Sequence, residues 1–300
     1  MARFESYLLV IFFLSFNIIT NTAFSQYEKE EQITFSYGSR NPIKIEVETN
    51  NKKCVFKAVN SSNYPYTLDV EFKQIQNLLP YTAKQIFVAY PGVTRLIEFT
   101  IREPNLPHNY SYSYTVKIGD RSKEADVNFP YLLPLSTNKA IEVYKIQLDE
   151  SRMLITNNLR VHSGDSVFCI RKGYVAAIGN SEIRENIIKL GSSLEVRHID
   201  GTVAVYNGIE ASSMPVRYGQ TIYAGQFLGT VGNSENITVS LYSIKGDGYL
   251  RGMSIKYFNG EDSLKTIDKL DGQYVVKSEL IVERELSKRE KRLKSKGRLF

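Results

Sequence analysis

The feature that most constrains the fold is a run of short apolar segments, punctuated by glycine, between Gly164 and Ile244. The segments are rich in β-branched and aromatic residues, recur at intervals of about ten residues and end at Gly, Asn or Asp. This pattern predicts antiparallel strands joined by tight turns rather than helices. A near-repeat, YGQTI at 218–222 and AGQFLG at 224–229, predicts that the chain turns twice in the same way. The stretch therefore predicts a small β-sandwich or barrel.

The same stretch resembles the lysostaphin/LytM-type zinc metallopeptidases. The residues that carry the resemblance are Gly164, Val167, Gly173, Val175, His198, Asp200, Gly201, Tyr206, Val216, Gly219, Gln220, Ile222, Gly225, Gln226, Leu228, Gly229 and Gly232. The segment 131–135, YLLPL, resembles the entry segment of a two-domain subset of that family. The resemblance implies a β-rich duplicated hybrid motif and, in active members, cleavage of peptide cross-links in bacterial cell walls.

An active member of this family needs three protein ligands for zinc and nearby histidines that move protons. The resemblance places four of these family positions, an Asp ligand, a catalytic His and the two His of a late strand, at Asn158, Gly208, Val239 and Leu241. A shift of one residue on the late strand would use Ser240 and Tyr242 instead, again without an imidazole. No His follows His198, and none lies between 108 and 162, where the first ligand is expected. We therefore expect a degenerate member with no catalytic residues and no metal.

The chain has three histidines. His108 lies in a Pro-flanked loop, and His162 lies in a turn with Asp165, so a metal site of His162, Asp165 and His198 would lack the family's spacing. His198 and Tyr206 are the candidate binding contacts of a persisting groove. Zinc is a cofactor only under an alternative, an active metalloendopeptidase that cleaves peptidoglycan cross-links with a relocated site.

The rest of the chain predicts further units. Residues 1–25 combine an early charge, an apolar run and small residues at 23 and 25, which is typical of a secretory signal peptide, with an uncleaved signal anchor as the alternative. Residues 33–127 contain seven short strand patterns and predict an immunoglobulin-like β-sandwich. Residues 128–276 are the LytM-like domain, and 277–300 form a basic, possibly helical tail.

Cysteines and charge add two expectations. Cys54 and Cys169 lie inside apolar strand patterns in different predicted domains, which favours buried free thiols over a disulfide. Residues 282–300 carry eight Lys or Arg and three Glu, nearly all of the net charge of +6. This tail predicts a solvated helix or a loose end, with contact to anionic cell-wall or membrane polymers as the alternative. Nucleic-acid binding is not expected, since no broader basic patch is present.

Together these patterns predict an exported all-β protein, periplasmic or extracellular, with no stable membrane insertion after signal cleavage. We expect it to bind a peptidoglycan peptide, or to regulate or scaffold a cell-envelope protein, without hydrolysis. A structural component of a cell-surface or secretion assembly is a further alternative.

Overall fold

A computed structural model describes residues 33–35, 41–149, 154–179, 192–260 and 263–299. The predicted signal peptide lies outside the described residues. The first eight strands are β1 (Ile33–Phe35), β2 (Ile43–Thr49), β3 (Lys53–Asn60), β4 (Tyr66–Gln76), β5 (Leu78–Leu79), β6 (Lys84–Ala89), β7 (Gly92–Ile101) and β8 (Asn109–Ile118). The later strands are β9 (Val143–Asp149), β10 (Leu154–Arg160), β11 (Ser166–Phe168), β12 (Gly173–Gly179), β13 (Ser192–Arg197), β14 (Thr202–Ile209), β15 (Thr221–Ile222), β16 (Phe227–Thr230), β17 (Asn236–Ile244) and β18 (Leu250–Met253). The helices are two 3-10 turns (Ala211–Ser213 and Ile267–Leu270), α1 (Glu279–Glu283) and α2 (Lys288–Ser295).

Strands β1 to β8 form two four-stranded sheets, ordered β1-β8-β4-β6 and β2-β3-β7-β5. Both sheets bury side chains in one shared core, where Phe56 of β3 meets Phe72 of β4 and Tyr112 of β8 edge to face. The alternation of β8 turns Tyr110, Tyr112 and Tyr114 into this core, because successive side chains of a strand point to opposite faces. The all-β prediction is confirmed, and the immunoglobulin-like topology stays a prediction.

Strands β9 to β18 form a large sheet ordered β15-β12-β13-β14-β17-β10-β9, with β18 beside β17, and a separate pair β11-β16. One face of the large sheet covers the main core, a cluster that contains Ala204, Tyr206, Val239 and Leu241. We call the opposite side the outer face. It carries Val203, Val205 and Tyr242, since these residues alternate with the core residues along β14 and β17.

The two-sheet sandwich packs against part of the outer face. Tyr64 and Ile118 of the sandwich join the buried cluster of Val203, Val205 and Tyr242. The Tyr64 hydroxyl donates to Glu195 Oε2 at 2.5 Å, and a backbone bridge links residues 119 and 245. At this junction a Cβ on Gly246 would lie 2.2 Å from Thr67 Oγ1, so glycine is required for the close approach. These contacts join the sandwich to the large sheet.

Three further features bear on the predictions. The segments 253–258 and 273–278 make only isolated bridges at Tyr257 and Tyr274 beyond the end of β18. Cys54 lies in the sandwich core and Cys169 in the main core, and both thiols are free. No helix within the described part of the chain is long and apolar enough to cross a membrane.

Candidate functional site

Three neighbouring strands present a row of neutral polar side chains on the outer face. Asn158 of β10 pairs directly with Thr238 of β17, and Thr238 pairs directly with Asn207 of β14. Directly opposed residues share a face of a sheet. The Asn207 amide donates to Thr238 Oγ1 at 3.2 Å, and in the next row the hydroxyls of Thr156 and Ser240 lie 3.1 Å apart. We call Asn158, Thr238 and Asn207 the polar row.

The polar row is enclosed. Its side chains are at most 6% exposed. The Oδ1 atoms of Asn158 and Asn207 are buried and have no hydrogen-bond partner in the part of the chain that the structure describes. A buried acceptor without a donor costs free energy, so these two oxygens mark the row as an unusual feature of the fold.

The family positions expected from sequence divide between the two faces. Asn158 lies on the outer face, whereas Val239 and Leu241 are fully buried in the main core. At Gly208, which has a φ of +100°, a Cβ would lie 2.4 Å from the Asn236 carbonyl oxygen, so this backbone excludes a larger side chain. The assignment of the family positions stays a prediction. Thr238 and, in the next row, Ser240 are the residues of β17 that share a face with Asn158. Each precedes by one position a residue expected from the family, Val239 or Leu241.

The polar row does not fit zinc, whether the late-strand family positions fall on Val239 and Leu241 or on Ser240 and Tyr242. Zinc in proteins is bound by thiolate, imidazole or carboxylate, and the polar row offers neutral amides and a hydroxyl. Among the described residues no group of three His, Cys, Asp or Glu side chains could hold a metal ion. His162 is exposed, and Asp165 accepts from its backbone nitrogen at 2.6 Å and pairs with Lys139. We therefore derive no metal-dependent step from this arrangement.

His198 lies buried at the end of β13. Its Nδ1 is 2.9 Å from the Lys172 carbonyl oxygen, so this nitrogen carries the proton. Its Nε2 is buried and has no hydrogen-bond partner among the described residues. Burial, together with the nearby charge of Arg171, lowers the pKa of His198 to about 3. The imidazole is therefore neutral at physiological pH.

Tyr206 points into the main core. Its hydroxyl accepts a hydrogen bond from the Ile170 backbone nitrogen at 2.9 Å, and burial raises the pKa of Tyr206 well above its usual value. Like His198, it has an internal partner and is fully buried. A ligand contact by either residue stays a prediction.

A buried charge cluster that the sequence analysis missed lies beside His198. The Arg171 guanidinium is only 3% exposed and stacks 3.6 Å from the centre of the Phe129 ring. It donates to Asp200 Oδ2 at 2.8 Å and to Glu285 Oε1 at 2.8 Å. Burial opposes the charge, but the hydrogen bonds from Arg171 to Glu285 and the charge of Asp200 outweigh it and raise the pKa of Arg171. The cluster thus ties the segment after α1 to the large sheet.

A second contact fixes α2. Lys172 donates to Glu290 Oε2 at 2.8 Å, and the Tyr223 hydroxyl donates to Glu290 Oε1 at 3.1 Å. Glu290 also closes a capping box with Ser287, the residue before α2. Burial acts against ionisation, but these hydrogen bonds, led by the one from Lys172, lower the pKa of Glu290 to about 2. The predicted basic tail is therefore helical and held by its acidic residues.

Comparison with family models matches residues 157–245 to peptidase family M23. No curated protein matches the chain. A mutant catalytic domain of the prophage-encoded M23 protein EnpA from Enterococcus faecalis is 16% identical, over 43% of this chain and 93% of its own, with a TM-score of 0.27. Helicobacter pylori Csd3 is 13% identical, over 83% of this chain and 77% of its own, with a TM-score of 0.30. A chain in the structure of a complex of SpoIIIAH and SpoIIQ is 17% identical, over 41% of this chain and 96% of its own, with a TM-score of 0.27. These TM-scores are too low to establish a common overall fold.

Proposed function

Because residues 157–245 form a domain of peptidase family M23, we propose that this chain binds cell-wall peptide without cleaving it. The match to this family supports peptide binding, and the polar row carries the loss of cleavage; because the row is enclosed, the peptide contact itself is not assigned to it. Asn158, Thr238 and Asn207 lie side by side on the outer face, and none of them supplies an imidazole or a carboxylate. Amides and hydroxyls do not replace zinc ligands or general acids and bases, so these residues cannot support zinc-dependent hydrolysis.

The fold does not depend on a metal. The main core closes around apolar side chains from the large sheet and from the segment 129–141. A domain with its own hydrophobic core can lose catalytic ligands and keep its shape, so binding can persist where hydrolysis is lost. The signal-peptide pattern of residues 1–25 supports an extracytoplasmic site of action, periplasmic or extracellular. A cell-envelope protein as a further partner belongs to the same proposal.

A sedimentation assay tests the proposal. Purified residues 26–300 are mixed with insoluble peptidoglycan sacculi, with and without added zinc. We expect the protein to sediment with the sacculi to the same extent in both samples and to release no soluble fragments. The zinc content of the purified protein is expected to be well below one ion per chain, since the polar row offers no suitable ligands.

An active lysostaphin-type enzyme serves as the positive control for fragment release. Zinc-dependent release by this chain, with bound zinc that disappears in the variant His162→Ala, would overturn the proposal in favour of a relocated metal site. Absence of both sedimentation and release would contradict peptide binding and favour a structural component of a surface or secretion assembly.

A further inference from the structure

An open cavity of about 410 Å³ lies where the sandwich meets the outer face. Tyr90, Pro91 and Asp120 line it from the sandwich side, and Tyr174 of β12 and Arg197 of β13 line it from the large sheet. Binding sites for small molecules are cavities of this size, often between domains, with apolar walls and a few polar groups. The cavity is separate from the enclosed polar row, whose residues do not line it.

Arg197 is the unusual group in this cavity. It pairs across the sheet with Tyr174, and its guanidinium lies 5.3 Å from the centre of the Tyr174 ring. Among the described residues, its buried Nε has no hydrogen-bond partner and its guanidinium forms no ion pair. A partly buried guanidinium without a paired carboxylate is costly, so the site favours an added anion.

Asp120, the acidic residue in the lining, acts on Arg197 through its charge but forms no ion pair with it. Its Oδ1 accepts from the backbone nitrogen and the hydroxyl of Ser122 at 2.9 and 2.6 Å. Its Oδ2 accepts from the Tyr90 hydroxyl at 2.6 Å. These donors are neutral, so Asp120 keeps its charge, which acts on both Arg197 and Lys123. Lys123 also lines the cavity, so the lining carries two cations against one carboxylate and has a net positive charge.

We propose that this cavity binds a molecule or peptide end that carries a carboxylate on an apolar group. The planar guanidinium of Arg197 matches a carboxylate through two parallel hydrogen bonds. The rings of Tyr90 and Tyr174 and the side chain of Pro91 supply apolar surface for the rest of the ligand. The inference goes beyond the proposed function and does not require the M23 domain to be inactive.

Titration calorimetry of residues 26–300 tests the site with three probes: N-acetylphenylalanine, its C-terminal amide and inorganic phosphate. We expect the carboxylate probe to bind, and the amide to bind at least about tenfold more weakly because it removes the charge that Arg197 pairs with. Arg197→Gln is expected to weaken binding of the carboxylate probe by about tenfold or more.

Arg160→Gln is the matched control. Arg160 also stacks over a tyrosine, 5.6 Å from the centre of the Tyr144 ring, but it does not line the cavity. Unchanged affinity in this variant, with loss in a folded Arg197→Gln protein, supports the proposal. Equal binding of acid and amide, no binding of either, or full affinity in Arg197→Gln overturns it. Phosphate that binds more tightly than the carboxylate probe overturns the requirement for an apolar group.

Discussion

Replacing Arg171 by methionine is expected to lower the free energy of unfolding by about 3–5 kcal/mol. The side chains of Asp200 and Glu285 are 11% and 19% exposed, and each would keep a largely buried charge without its cation. Removing one partner of a buried ion pair is costly for this reason, even where the intact pair contributes little. Urea unfolding, followed by far-ultraviolet circular dichroism, measures the change.

Two variants check the cause. Lys172→Met removes a neighbouring ion pair to Glu290 whose cation is more exposed than Arg171, 22% against 3%, and we expect a smaller loss than in Arg171→Met. Adding Asp200→Asn and Glu285→Gln to Arg171→Met is expected to restore part of the stability, because no unpaired charge remains. An equal loss in Arg171→Met and Lys172→Met would show that burial of the charges does not set the effect.

Acid is expected to destabilise the protein through His198. The pKa of His198 is about 3 in the folded protein, against an ordinary value of 6.5. The unfolded chain therefore binds the proton more readily between these values, so this stability is complete above pH 6.5 and is lost as the pH falls towards 3. Between pH 7 and pH 4 the loss is about 3 kcal/mol. Urea unfolding at the two pH values measures it against His198→Gln, which lacks the titrating group.

Since carboxylates also titrate in this range, the difference between the two proteins is the informative quantity. His162→Gln is the control, because the His162 side chain is 82% exposed, whereas His198 is fully buried. It is expected to keep the pH dependence of the unmodified protein. Identical pH dependence in His198→Gln would refute the assignment.

Much of the fold follows from local alternation. The apolar residues Ile237, Val239 and Leu241 alternate with polar ones along β17, and period two places them together in the main core. The same alternation puts Thr238 and Ser240 on the opposite face, so the sequence already contained the grouping of the polar row. Matching a family motif with gaps does not decide which of two neighbouring residues of β17 shares a face with Asn158. The register of strand pairing does decide it.

The docking of the tail was only partly predictable. Ser287 and Glu290 have the spacing of a capping box, which predicts the start of α2. Nothing near Arg171 in the sequence indicates that it is buried, because its partner Glu285 is far away along the chain and the pairing depends on the closed fold. For the same reason, the cavity at Arg197 combines two separate regions of sequence and could not be predicted from either of them.

The pairing of Arg171 with Glu285 also affects when, during synthesis, the folded domain gains its full stability. The two residues are 114 positions apart, and β12 to β18 lie between them. During synthesis from the N-terminus, the strands of the large sheet leave the ribosome before Glu285, the second carboxylate that binds Arg171 after Asp200. The last contacts of the buried Arg171 therefore wait for residue 285, and a chain cut before it keeps guanidinium N–H groups without their acceptor. Such a fragment would open more often and expose its backbone to proteases, so the contact distinguishes intact chains from shortened ones.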